Sequence, residues 1–137
     1  PSTNSVRRIA WSQTYSLNMN TPKDAFEATD EQTARIRALN DQLRTTSSGG
    51  RILLTPGVRA LGEEGVMAAL QAVREFDNFT ADNDPYGEAD FGSITYQGQT
   101  IFWKIDAYDK DLIYASPDPS DPAVTSRVLT ILLSSEY

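Results

Sequence analysis

Five side chains able to bind, polarise or stack occupy alternate positions in one short stretch: Asp82, Asp84, Tyr86, Glu88 and Asp90. Asp106, Tyr108 and Asp109 repeat the combination further on. Carboxylates at this density suit four chemistries. The first is a hard-cation site on Asp82, Asp84, Glu88 and Asp90. Asp82-x-Asp84-x-x-Gly87 has the opening rhythm of a calcium loop with Asp90 at its ninth position, but Tyr86 stands at the fifth and Ser93 where a bidentate Glu is needed. An Asx-rich turn, its side chains bonding local backbone, accounts for the same residues. The second is magnesium-assisted hydrolysis or nuclease chemistry by Glu88, Asp90, Asp106 and Lys104. Here the usual acid-x-Lys order is reversed, and a structural Lys–Asp ion pair competes with it. The third is glycoside cleavage, with Glu88 and Asp106 as acid and base and Trp103, Tyr86 and Tyr108 as sugar platforms; a core Trp beside surface acids is its plain alternative. The fourth is a protein-binding surface: Asp82, Asp84, Glu88, Asp90, Asp106 and Asp109 supply charge, and Tyr86 and Tyr108 supply anchoring area. A solvated acidic face is the alternative there.

Composition narrows these options. The chain has no Cys and no His. Disulfides, thiolate nucleophiles, Cys-ligated metals, Ser-His-Asp triads and the commonest zinc ligand are therefore excluded. The net charge of −7 is unevenly placed: residues 76–121 hold ten acids against Lys104 and Lys110, a balance of −8, and the remainder carries +1. Such a field repels nucleic acid and attracts basic surfaces or cations. No apolar run approaches a membrane span, and the N-terminal residues lack the apolar stretch of a secretory signal. The expectation is a soluble, cytoplasmic protein.

Sequence pattern sets these residues on a small number of helices and strands. A chain of 137 residues fits one domain. Residues 1–28 read as an N-terminal arm, with Val6, Ile9, Trp11, Tyr15 and Leu17 available to dock it, and 29–137 as the domain. Thr29 and Gln32 stand at capping-box spacing before a helix with Ile36, Leu39 and Leu43 on one stripe. Ser47-Ser-Gly-Gly50 ends it, and Arg51 to Thr55 reads as a short buried strand. Val66, Ala69, Leu70, Val73 and Phe76 predict a second helix. Ser93–Gln97 and Thr100–Asp106 read as a hairpin around Gly98, with Ile101, Trp103 and Ile105 on one face. Leu112, Ile113 and Tyr114 suggest a third short strand. Asp121 before Pro122 signals a C-terminal helix with Val124, Val128, Ile131 and Leu132 as its stripe. The resulting expectation is an α+β fold, a small antiparallel sheet packed with three helices in the order α-β-α-β-β-(β)-α. Its expected core is Ile36, Leu39, Leu43, Leu53, Val66, Leu70, Val73, Phe76, Ile94, Ile101, Trp103, Ile105, Val128, Ile131 and Leu132.

Several motifs together resemble a known family. They are Phe79-Thr-Ala-Asp-Asn-Asp-Pro-Tyr-Gly-Glu-Ala-Asp-Phe-Gly92, Phe102-Trp-Lys-Ile-Asp106 with Tyr108-Asp109, Ser116-Pro-Asp-Pro, Asp121-Pro-Ala-Val-Thr and Arg127-Val-Leu-Thr-Ile131. Ile36 to Asp41, Leu54-Thr and Gly57-Val58 fit the same pattern. Over about residues 31–137 the chain resembles the bacterial family known as domain of unknown function 3768. The resemblance implies no established activity. It implies a context: plasmids and other mobile DNA, near antirestriction and plasmid-maintenance genes.

Charge, composition and context together favour a non-catalytic acidic protein of a mobile element. It would block or regulate a larger, basic, nucleic-acid-handling host protein, as an anti-restriction or anti-CRISPR inhibitor does, with its acids imitating DNA phosphates or simply docking. No cofactor, membrane or direct nucleic-acid contact is expected, and a homodimer is compatible with the sequence. The alternative is a metal-dependent hydrolase or nuclease built on the clustered carboxylates and Lys104, with a divalent cation.

Overall fold

The computed structural model describes residues 28–137. The expected N-terminal arm, including Val6 to Leu17, lies outside the described residues. Helix α1, Asp30–Thr46, starts on the capping box: Gln32 N–H donates to Thr29 Oγ1 at 3.1 Å and Thr29 N–H to Gln32 Oε1 at 3.0 Å. Two donors that an open helix end would leave orphaned are thereby satisfied. The helix ends at Ser47, which takes a left-handed backbone at φ 65° and returns its N–H to the Leu43 carbonyl. The buried stripe of α1 is Ile36, Asn40, Leu43 and Arg44, so half of it is polar.

The chain then turns through Gly50 into β1, Arg51–Leu54. A Cβ at Gly50 would run into the Arg127 carbonyl oxygen and Leu43 Cδ2. Only glycine lets the α1–β1 turn lie this flat against the strand beside it. Thr55 caps a single helical turn, α2, Pro56–Arg59, which buries Val58. Helix α3, Gly62–Glu75, buries Gly65, Ala69 and Val73, with Val66, Leu70 and Phe76 half-buried beside them. Strands β2, Phe91–Tyr96, and β3, Gln99–Tyr108, form a hairpin. Its two linking residues, Gln97 and Gly98, both have positive φ, as a tight turn matched to strand twist requires.

The last element is strand β4, Ser126–Leu133. It lies inside the sheet, whose order is β1-β4-β3-β2; β4 runs antiparallel to β3 and parallel to β1. The α+β class, α1, α3 and the hairpin match expectation; β1 is present but is an edge strand with no buried residue, α2 is an added turn, and the C-terminal helix on Val124, Val128, Ile131 and Leu132 is corrected to this strand. A central strand buried on both sides carries apolar residues at nearly every position, so a helical subset is easily found in it. The start signal is real but short. Asp121 accepts from Ala123 N–H at 2.9 Å and caps one 3-10 turn, Pro122–Val124. The Thr125 hydroxyl then bonds back to the Asp118 and Asp121 carbonyls, and the chain straightens. The sheet is therefore mixed rather than purely antiparallel.

Trp103, Ile101, Ile105, Leu129 and Ile131 line the helix-facing side of the sheet and pack with Leu43, Val58, Ala69 and Val73. Phe76, Phe79 and Trp103 meet edge to face at centroid distances of 5.0 to 6.1 Å. Arg44 stacks on both Phe79 and Trp103 at 5.4 Å and donates to the carbonyls of Val73 and Phe76 at the end of α3. Most of the expected core is buried or half-buried, but Leu53 is exposed, because β1 is an edge strand whose alternate residues face outward. No helix among the described residues is long and apolar enough to cross a membrane.

Candidate functional site

Strand register brings the two acidic stretches to one end of the sheet. β2 begins at Phe91 opposite Lys104, and the Ile105 N–H extends the ladder to the Asp90 carbonyl at 2.9 Å. Residues 88–90 thus run beside the end of β3, where Asp106, Tyr108 and Asp109 sit. β1 and β4 also begin at this end.

The loop 76–90 is not slack. Thr80 and Asn83 bond reciprocally, Thr80 N–H to Asn83 Oδ1 at 2.7 Å and Asn83 N–H to Thr80 Oγ1 at 3.3 Å. Asn83 Nδ2 adds a bond to the Asn78 carbonyl at 2.8 Å. The Asx-turn reading therefore holds here. Asp84 then fastens the loop to α1. Its Oδ2 lies 2.8 Å from Arg37 Nη1, its Oδ1 accepts from Ala89 N–H at 3.0 Å, and its side chain is only 5% exposed. Arg37 also donates to the Gly87 carbonyl at 3.1 Å and lies over the Phe79 ring at 5.0 Å.

A second fastening is buried beneath the first. Asn40 Nδ2 donates to the Glu88 carbonyl at 2.9 Å, and Asn40 Oδ1 accepts from Arg127 Nε at 2.6 Å. Arg127 Nη2 reaches the Pro119 carbonyl at 2.6 Å. One arginine on β4 therefore joins α1, the acidic loop and the loop before β4. Burial pulls its pKa down to about 10, and the negative charge of Glu88 acts in the opposite direction. At neutral pH Arg127 remains a buried cation.

The expected site residues separate by role. Asp82 and Tyr86 are exposed, Tyr86 by 74%. Glu88 and Asp90 are half-buried. Asp84 is a structural latch whose side chain is nearly buried. Asp106 pairs with Lys104 at 2.7 Å, the structural pair that competes with the nuclease reading. Tyr108 is pushed up to about 12 by burial and then by the neighbouring Asp106. Asp109 accepts from Ile113 N–H at 3.0 Å and shapes the turn that follows.

Among the described residues no three acidic side chains are grouped so as to hold a metal ion. The proposed set Asp82, Asp84, Glu88 and Asp90 is broken at Asp84, whose carboxylate already holds a guanidinium. The sugar-platform role of Trp103 is corrected as well: its ring is fully buried in the core and cannot stack on a ligand.

Nothing in the order of residues marks Arg37, Asn40 and Arg127 as part of the site. The only available signal was Asn40 and Arg44 falling at helical spacing with Ile36, where a polar residue on a buried stripe implies a partner. The expected strand at Leu112 to Tyr114 is instead an exposed turn, tied to the sheet by a single bridge between Tyr108 and Ala115. Tyr108 pairs with Ser126 of β4 on its other side, so this bridge lies on the β2 side of β3, beyond Phe91 where β2 begins.

The chain is thus a two-layer α+β domain, helices on one face of a four-stranded mixed sheet, with a fastened acidic loop at one end. It belongs to the family described as "Protein of unknown function (DUF3768)", whose model matches residues 54–136. The match begins at the end of β1 and takes in the acidic loop, the hairpin and β4. No curated protein and no solved structure matches the chain.

Proposed function

We propose that this protein is a non-catalytic binding protein that presents the acidic end of its sheet to a basic surface on a larger, nucleic-acid-handling protein, which it blocks or regulates. The observation that carries the reading is the convergence of the two acidic stretches at one sheet end, on a loop fastened by Asp84–Arg37 and Asn40–Glu88. A fixed loop loses little conformational freedom on docking, so its charges and Tyr86 bind at lower entropic cost than they would on a slack one. The mobile-DNA context that the resemblance implies fits an anti-defence role, in which the acids imitate phosphates and occupy a nucleic-acid channel.

The test is retention of partner from a clarified lysate of the bacterium that carries the gene, at about 0.05 M and about 0.5 M salt, since exposed charge pairs are screened over such a range. Asp82→Lys with Asp111→Lys reverses two exposed acids that no described hydrogen bond uses. Retention should fall steeply with salt in the native protein and be lost in the variant at an unchanged melting temperature. Equal retention by the variant, or retention indifferent to salt, would refute the reading. Asp84→Lys is unsuitable, because it would undo the loop itself.

A further inference from the structure

We propose that the turn 109–115 is a preformed apolar anchor that seats in a cleft with an apolar floor and a rim of Lys and Arg on the partner. The inference rests on the binding role given above. Leu112, Ile113 and Tyr114 are consecutive and exposed by 39%, 66% and 72%. Three consecutive exposed apolar side chains at the same sheet end as the acids are more than the singly scattered ones an ordinary surface carries.

The turn is held rather than loose. Asp109 N–H donates to the Tyr114 carbonyl at 2.8 Å, and Leu112 N–H to the Asp109 carbonyl at 3.0 Å. The Asp109 carboxylate takes Ile113 N–H, and Ser116 N–H returns to the Ala107 carbonyl at 2.9 Å. Leu112 adopts φ 60°, a backbone that favours Gly, Asn or Asp. A turn that only reversed the chain would be better served by those residues. Here a leucine occupies the position, next to the two most exposed side chains of the trio. An aromatic and an aliphatic side chain on a fixed turn are the residue types that carry binding energy when a partner pocket encloses them.

Charge selects the occupant. Asp109 and Asp111 stand directly before the trio, with Lys110 between them, on a chain of net charge −7. An anionic lipid surface repels this end, and so does nucleic acid. A second copy meeting it end to end brings the same sign. A protein cleft with a cationic edge complements both the apolar tip and the acids beside it at this sheet end.

The experiment places photoreactive benzoylphenylalanine at position 113 of the full chain, with a control label at Met67, which is exposed on α3. Each is irradiated in the same lysate at about 0.05 M and about 0.5 M salt, and the cross-linked peptides are sequenced. Two charge-separating variants accompany it: Ile113→Ser with Tyr114→Ser, which leaves charge unchanged, and Asp82→Asn with Asp111→Asn, which leaves the apolar tip unchanged. The expected result is one partner peptide, apolar and flanked by Lys or Arg, reached from position 113 and not from 67. Retention of the partner by the unlabelled chain, the readout for both variants, should fall about tenfold or more in the Ser variant relative to the native chain at about 0.05 M salt, with its melting temperature unchanged. Undiminished retention by the Ser variant overturns the anchor, as do cross-links from 113 that are absent or scattered like those from 67. Loss in the Ser variant with none in the Asn variant keeps the anchor and overturns the acidic-end reading; the converse keeps the acidic end and overturns the anchor.

Discussion

Replacing Asp84 with Ala should destabilise the protein by about 2–3 kcal/mol, although Asp84 lies in a surface loop. The magnitude follows from what the carboxylate holds. Removing it leaves the N–H of Ala89, a fully buried residue, without its acceptor; a buried donor left unmade costs about 1–3 kcal/mol. It also removes the 2.8 Å contact to Arg37. Arg37 is 37% exposed on its side chain, so water recovers much of that charge, and the lost pairing adds only about 0.5–1 kcal/mol. Ala89 itself sits at φ 54°, a conformation that is retained only while its surroundings hold it. Urea unfolding of Asp84→Ala, Asp82→Ala and the native protein measures the difference. Asp82 is exposed and should fall within about 0.5 kcal/mol of native. An Arg37→Ala cycle should return a coupling of about 0.5–1 kcal/mol. If Asp84→Ala is as mild as Asp82→Ala, the loop is not fastened through this carboxylate, and the argument from a preformed acidic loop falls with it.

Gly50→Ala should destabilise by about 1–3 kcal/mol in the same assay, because the added methyl meets the backbone carbonyl of Arg127, which cannot swing aside as a side chain would. Glu136 accepts from Thr55 Oγ1, Gly57 N–H and Leu133 N–H, and these bonds, the Thr55 hydroxyl first, hold its pKa below the ordinary 4.5. A depressed carboxylate contributes stability that is fully present above its unfolded pKa and lost as pH falls through the folded one. The melting-temperature gap between native and Glu136→Ala should therefore be full at neutral pH and close as the pH drops below 4.5; a gap that persists in acid would refute it. Tyr108 should ionise near pH 12 in an ultraviolet titration. Its raised pKa contributes stability that is complete below 10 and lost as pH rises toward 12, and Asp106→Asn should bring the value part of the way down.

What could be read beforehand was local. The capping box at Thr29 and Gln32, the stripe from Val66 to Phe76 and the hairpin about Gly98 each declare themselves within a few residues. Strand β4 did not, because two buried faces erase the alternation that marks a strand. The residues that make the acidic loop a fixed object were hidden for another reason. Asn40 and Arg127 are 87 positions apart, and Arg37 and Asp84 are 47 apart. Arg127 stands in an apolar run, and nothing in the order of residues says that its head group meets Asn40 and the Pro119 carbonyl. The acids themselves were visible, but not which of them are already engaged.

That division changes what the acidic stretch can do. Its ten acids are opposed in sequence by Lys104 and Lys110 alone, and the fold adds Arg37, Arg127 and, at the start of β1, Arg51 from outside, so the stretch is less negative in space than its −8 in sequence. Asp84, Asp106 and Asp109 are engaged at short range with Arg37, Lys104 and the Ile113 amide. The far field that steers an encounter is therefore weaker than composition implies, while the charges that remain are held in fixed places. A protein that depended on bulk charge would gain nothing from spending carboxylates on its own loop. One that needs a particular surface does gain, because each internal bond removes freedom that binding would otherwise have to remove. Discrimination between basic partners then falls to the side chains that charge does not account for, Tyr86 on the acidic loop and Ile113 and Tyr114 on the neighbouring turn, with the acids setting the rate and the orientation of approach.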